Sequence, residues 1–146
     1  MENTKARIES KLEVTSYLQN LKYALDHGAK LTFQEDRKVD ERREERFTNR
    51  FTVADLFPNE DPATALKREL KTLTIEEYMQ TVKDLRFKNR SEMREFGKVY
   101  NGHGDVYIKI RVELLSAYGN HTAFVTSFHY AEIPFADNMF PYKKIR

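Results

Sequence analysis

The sequence predicts an α+β protein in which a twisted antiparallel sheet carries a long N-terminal helix and a capped helix pair on one face. Three observations lead there. First, Gly104-Asp105-Val106-Tyr107-Ile108-Lys109-Ile110-Arg111-Val112-Glu113-Leu114 alternates apolar and polar residues throughout, the period-2 pattern of a half-buried strand. A second alternating run sets Phe124, Phe128 and Tyr130 on one face and Val125, Ser127 and His129 on the other, so the two form a hairpin over 105–132. Second, residues 5–27 place Ile8, Leu12, Leu18, Leu21 and Leu25 at mostly helical spacing and end at Gly28, where a left-handed cap belongs. Third, Thr74-Ile75-Glu76-Glu77 has the reciprocal pattern of a capping box.

Register in the hairpin follows from burial, because a slip of one residue would turn every apolar side chain outward. Val106 opposite Tyr130, Ile108 opposite Phe128, Ile110 opposite Thr126 and Val112 opposite Phe124 gather the large apolar groups on one side. The same alignment sets Tyr107 opposite His129, Lys109 opposite Ser127 and Arg111 opposite Val125. A phenol, an imidazole, an ammonium and a guanidinium then share the polar face.

The remaining elements follow in order. Leu31-Thr32-Phe33-Gln34 and Phe47 through Val53 are β-prone. Between them, residues 35–46 alternate paired acids with paired bases around Val39, as a solvated loop or exposed turn does. Residues 62–85 read as two helices. The first is capped by Asp61 with Pro62 at its first position, and the second carries Ile75, Tyr78, Met79, Val82 and Leu85 on one face. From Lys83 onward, Lys83, Arg86, Lys88, Arg90 and Arg94 interleave with Phe87 and Phe96, a modest basic patch in the style of single-stranded RNA binders. Asn101-Gly102-His103-Gly104 is a turn. Residues 134–146 form an aromatic, basic tail, suited to packing on the sheet or to contacting phosphates or a partner chain.

Composition bounds the function. The 146 residues, 40% hydrophobic and 33% charged, suit one domain over 1–146 with a real core. A net charge of +2 does not compel a nucleic-acid partner. The absence of cysteine removes disulfides, thiolate metal sites and thiol catalysis. No signal peptide or membrane-spanning run is evident, which leads to the expectation of a cytoplasmic protein. Glycine-rich phosphate loops and metal-ligand spacings are missing, and His27, His103, His121 and His129 are scattered, so no cofactor or metal is expected. His103 and His121 belong to turns.

The polar face of the hairpin is the remaining candidate. Cleaving RNA without a metal requires a base for the ribose 2′-hydroxyl, a cation for the phosphorane charge and an acid for the leaving oxygen. His129 and Tyr107 suit proton transfer or orientation, and Lys109 and Arg111 suit the phosphate. The same four residues also describe an ordinary solvent-facing sheet surface.

Leu73-Thr74-Ile75-Glu76-Glu77-Tyr78, Val99-Tyr100, Gly104 through Ile110 and Val125-Thr126-Ser127-Phe128-His129 together resemble the MqsR branch of the RelE-like toxins, across roughly residues 17–132. That resemblance implies an α+β mRNA interferase that cleaves without a metal and is neutralised by a cognate antitoxin. It aligns Tyr107 with the family's strand tyrosine and His129 with the basic residue that follows Ser-Phe. The family's helix lysine, directly after the tyrosine, is Met79 here, with Lys83 one helical turn later. Two readings follow. One is a toxin-like, RNA-binding, metal-independent ribonuclease with Tyr107, Lys109, Arg111 and His129 at its site. The other is a non-enzymatic binder, of phage or mobile-element origin, that sequesters a nucleotide ligand or inhibits a partner protein. Self-association is compatible with both.

Overall fold

A computed structural model describes residues 4–36, 43–87, 89–114 and 121–144. Lys88, the centre of the charged segment and the tip of the hairpin lie outside them. Three helices and a six-stranded, mostly antiparallel sheet make up an α+β fold. In chain order these are β1 (Thr4–Arg7), α1 (Lys11–Asp26), β2 (Lys30–Phe33), α2 (Asn49–Leu56), α3 (Pro62–Leu70), β3 (Tyr78–Asp84), β4 (Met93–Tyr100), β5 (Gly104–Leu114) and β6 (His121–Tyr130). The sheet runs β1-β3-β4-β5-β6-β2, with β2 parallel to its neighbour β6 and the other described pairs antiparallel.

Local chemistry sets the helix boundaries. Ser10 and Glu13 form a capping box that starts α1, with Glu13 N–H donating to Ser10 Oγ at 3.2 Å and Ser10 N–H to Glu13 Oε1 at 3.1 Å. At the other end Gly28 has φ of 81°, and Ala29 N–H donates to Ala24 O, six residues closed as one Schellman turn. The helix is therefore shorter than the 5–27 periodicity predicts, because the chain before Ser10 is an edge strand paired with β3. Asp61 caps α3 as expected, accepting from Thr64 N–H at 3.1 Å.

Two elements differ in kind from the sequence expectation. Residues 47–53 are not a strand: Thr48 accepts from Phe51 N–H and caps α2, so a local capping bond prevails over β propensity. The second helix of the expected pair is one 3₁₀ turn, Ile75–Glu77, running straight into β3. Thr74 N–H does donate to Glu77 Oε1 at 3.0 Å, so the cap motif is real and the helix behind it is absent. The helical spacing of Tyr78, Met79 and Val82 arises from a strand buried on both sides and interrupted by a bulge between Tyr78 and Gln80, which breaks alternation.

The core lies between the sheet and the helices. Val14, Leu18, Leu21 and Leu25 of α1, Val53 of α2 and Leu66 and Leu70 of α3 meet Phe96, Val106, Ile108, Ile110, Val125, Phe128 and Tyr130. Each such large side chain contributes about 1.5–3 kcal/mol on burial. Register holds as expected for Val106 with Tyr130, Tyr107 with His129, Ile108 with Phe128 and Lys109 with Ser127. A bulge beyond Lys109 then shifts the pairing, so Ile110 faces Val125, Arg111 faces Phe124 and Val112 faces Ala123. Val125 and Ala123 enter the core, and Phe124 moves to Arg111's side of the sheet.

The tail packs on the protein. Phe135 and Phe140 lie edge to face over Gly97, and Tyr142 stacks on Tyr78 with its hydroxyl donating to Glu9 O. A Cβ at position 97 would sit 2.8 Å from both phenylalanine rings. Gly97→Ala is therefore expected to lift the tail and cost about 1–3 kcal/mol. A lower Tm together with faster proteolysis C-terminal to Phe135 would confirm this; an unchanged Tm would refute it. Among the described residues no helix is long and apolar enough to cross a membrane.

Candidate functional site

The sheet face turned away from α1 carries the predicted cluster. Strand pairing places Gly97, Tyr107 and His129 in one row, Glu95, Lys109 and Ser127 in the next, and Arg111 with Phe124 beyond the bulge. The four candidates thus share a face, and the Tyr107 and His129 rings lie 5.4 Å apart. Burial and pairing separate this surface from a solvated one. His129 is 9% exposed and Arg111 is 8% exposed.

Each of the charged or titratable members is engaged within the protein. Arg43 Nη1 donates to His129 Nε2 at 3.0 Å, while His129 Nδ1 donates to Tyr130 O at 3.0 Å. Arginine only donates and a carbonyl only accepts, so these bonds fix the Nδ1–H tautomer and occupy both ring nitrogens. Lys109 lies 3.9 Å from Glu95, whose other oxygen accepts from Gln80 at 3.1 Å. The Arg111 guanidinium lies 4.5 Å over the Phe124 ring and 3.3 Å from Glu113. Chemically the arrangement is a polar network whose charges are paired internally, although Arg43 Nε and Arg111 Nε are buried in it without a hydrogen-bond partner among the described residues. A general base needs a lone pair directed at the substrate proton, and His129 directs its lone pair at Arg43.

Of the expected RNA-contacting residues, Lys83, Arg86 and Arg90 gather around Phe87, Arg94 lies apart from them, and Lys88 is outside the described residues. Arg94 lies on the helix-covered face, 2.8 Å from Glu9. Arg86 pairs with Asp84 in the β3–β4 turn, and Arg90 stacks 4.2 Å over Phe87. Lys83 donates to Arg90 O. Met79, at the position of the resembled family's lysine, is buried in β3. Among the described residues no group of three or more His, Asp or Glu is placed to hold a metal ion.

Several important residues were not legible locally. Glu95 neutralises Lys109 through strand pairing that 95 and 109 do not announce in sequence. Arg43 reaches His129 from 86 residues away. His121, expected in a turn, opens β6 and lines a cleft under α1 with Tyr17 and Arg94.

Glu9 is the other buried polar centre. Its carboxylate accepts from Thr81 at 2.5 Å and Arg94 at 2.8 Å, and Thr81 Oγ1 lies 2.7 Å from the Tyr78 hydroxyl. Glu9 N–H donates to that same hydroxyl at 3.0 Å. Burial holds the Tyr78 phenol above its ordinary range, so it stays protonated. The network ties the start of α1 to β3 and β4.

Comparison with protein-family models, with curated proteins and with solved structures finds no match to this chain in any of the three.

Proposed function

We propose that this protein works by binding rather than by catalysis, as a non-enzymatic protein that sequesters a small ligand or inhibits a partner. The single observation that carries the reading is the double engagement of His129, with Arg43 on Nε2 and Tyr130 O on Nδ1. An imidazole held at both nitrogens orients its neighbours and, in this conformation, presents neither its lone pair nor its N–H to a substrate. Lys109 beside Glu95, and Arg111 beside Glu113, add support, since their charges are already offset before any phosphate arrives.

A metal-independent ribonuclease is the second reading, favoured by the shared face of Tyr107, Lys109, Arg111 and His129. One assay separates the two. Structured and unstructured RNA are incubated with a molar excess of protein and a chelator, and the RNA is expected to stay intact, with His129→Ala indistinguishable from the parent chain. Accumulation of 2′,3′-cyclic phosphate ends that His129→Ala suppresses a hundredfold would overturn the binding reading in favour of the nuclease.

A further inference from the structure

We propose that the cleft between α1 and the sheet, lined by Tyr17, Leu21, Tyr23, Ala24, Arg94 and His121, binds an uncharged planar ring compound of nucleobase size. The assignment extends the binding reading to a particular site.

The cleft encloses about 320 Å³, the lower end of the range for small-molecule sites. Two polar atoms in its lining, Tyr17 Oη and His121 Nδ1, are buried and have no hydrogen-bond partner among the described residues. Buried polar atoms are nearly always satisfied, so two orphans in the lining of one cavity call for a partner that enters it, solvent in the free protein and a ligand's polar edge when one binds. Burial pushes the Tyr17 phenol well above its ordinary value, outweighing the opposing effect of Arg94, so the hydroxyl remains a donor. The Arg94 guanidinium packs 4.4 Å over the Tyr17 ring and holds it in place.

Charge decides against an anion. Arg94 brings a positive charge to the lining, but Glu9 lies 2.8 Å from it and offsets that charge. A carboxylate entering the cleft would be desolvated without a counter-charge of its own. The remaining surface consists of the Tyr17 and Tyr23 rings, the aliphatic Leu21, Ala24 and Val112, and the neutral amide of Asn20, which suits a flat, largely apolar body with polar edges. The ligand class is thus a neutral ring with a carbonyl or ring-nitrogen acceptor for Tyr17 and a second polar edge for His121.

The test uses the full chain labelled with ¹⁵N and titrated with uracil, hypoxanthine and benzamide, with benzoate as the charged counterpart of benzamide. At least one neutral probe is expected to give saturable shifts in the amides of residues 17–24, Arg94 and Val112, and benzamide is expected to bind more tightly than benzoate. Tyr17→Phe should weaken that probe about tenfold, the loss of one hydrogen bond. The same variant should keep or raise Tm, because it removes a hydroxyl that bonds to nothing in the folded chain. His121→Ala should weaken the probe as well. Absence of saturable shifts, tighter binding of benzoate, or a lowered Tm for Tyr17→Phe would each overturn the assignment. A failed titration leaves the non-catalytic reading standing, whereas RNA cleavage would remove that reading and leave the cleft untouched.

Discussion

Glu9→Ala is expected to destabilise the protein by about 3–5 kcal/mol, the cost of leaving a buried charge without its partner. Arg94, with 17% of its side chain exposed, would lose the carboxylate that offsets it, and Thr81 Oγ1 would lose its acceptor. Glu92, a second carboxylate near Arg94, cannot take over, because it is held by Arg7 through two bonds of 2.7 and 2.9 Å. Against a total stability of the order of 10 kcal/mol for a domain of this size, the loss is a large fraction. Urea unfolding followed by far-UV circular dichroism measures it. The double change Glu9→Leu with Arg94→Met should recover much of the loss, because it removes both charges rather than one. A cost below about 1 kcal/mol for Glu9→Ala would show that solvent already satisfies Arg94 and that the network does not fasten α1 to the sheet.

Asn49→Ala should cost about 3 kcal/mol through a different mechanism, the exposure of an unsatisfied strand edge. β2 pairs with β6 only as far as Val125, and past that point α2 takes over the edge. Asn49 Nδ2 donates to Thr126 O at 3.0 Å and to Gln34 O at 2.8 Å, while Asn49 Oδ1 accepts from Phe128 N–H at 3.0 Å. Thr52 Oγ1 accepts from Tyr130 N–H at 2.9 Å, one ladder step further along. A side-chain amide and a hydroxyl thus complete the strand ladder and cover an edge that would otherwise be open to another chain. The variant should shift the urea midpoint by about 1–2 M with the slope unchanged. Hydrogen exchange at the Phe128 amide should accelerate more than at Ile108. Equal acceleration at both sites would mean that Asn49 acts through global stability alone.

Legibility in the sequence divided along the range of the forces involved. The alternation from Val106 to Val112 and the register of Tyr107 with His129 were readable because burial of one sheet face constrains every second residue. The Gly28 cap and the Asp61-Pro62 start were readable because a helix end is satisfied by residues within one turn of it. The capping box at Thr74 does not by itself distinguish a helix from a single 3₁₀ turn, since both need the same bonds. Nothing within residues 75–85 discloses that β1 and β4 flank them, and those neighbours make the segment a strand.

The candidate site shows the same division more sharply. The sequence by itself determined that Tyr107, Lys109, Arg111 and His129 would lie on one face of a hairpin, since strand periodicity is a local property of the backbone. Only the tertiary structure decided what those groups face. Arg43 and Glu95 come from outside the hairpin to engage His129 and Lys109, and a bulge delivers Phe124 to Arg111. The physical reason is that a side chain's reactivity depends on the charges and donors within a few ångströms of it, and folding assembles those from positions as far apart as Arg43 and His129.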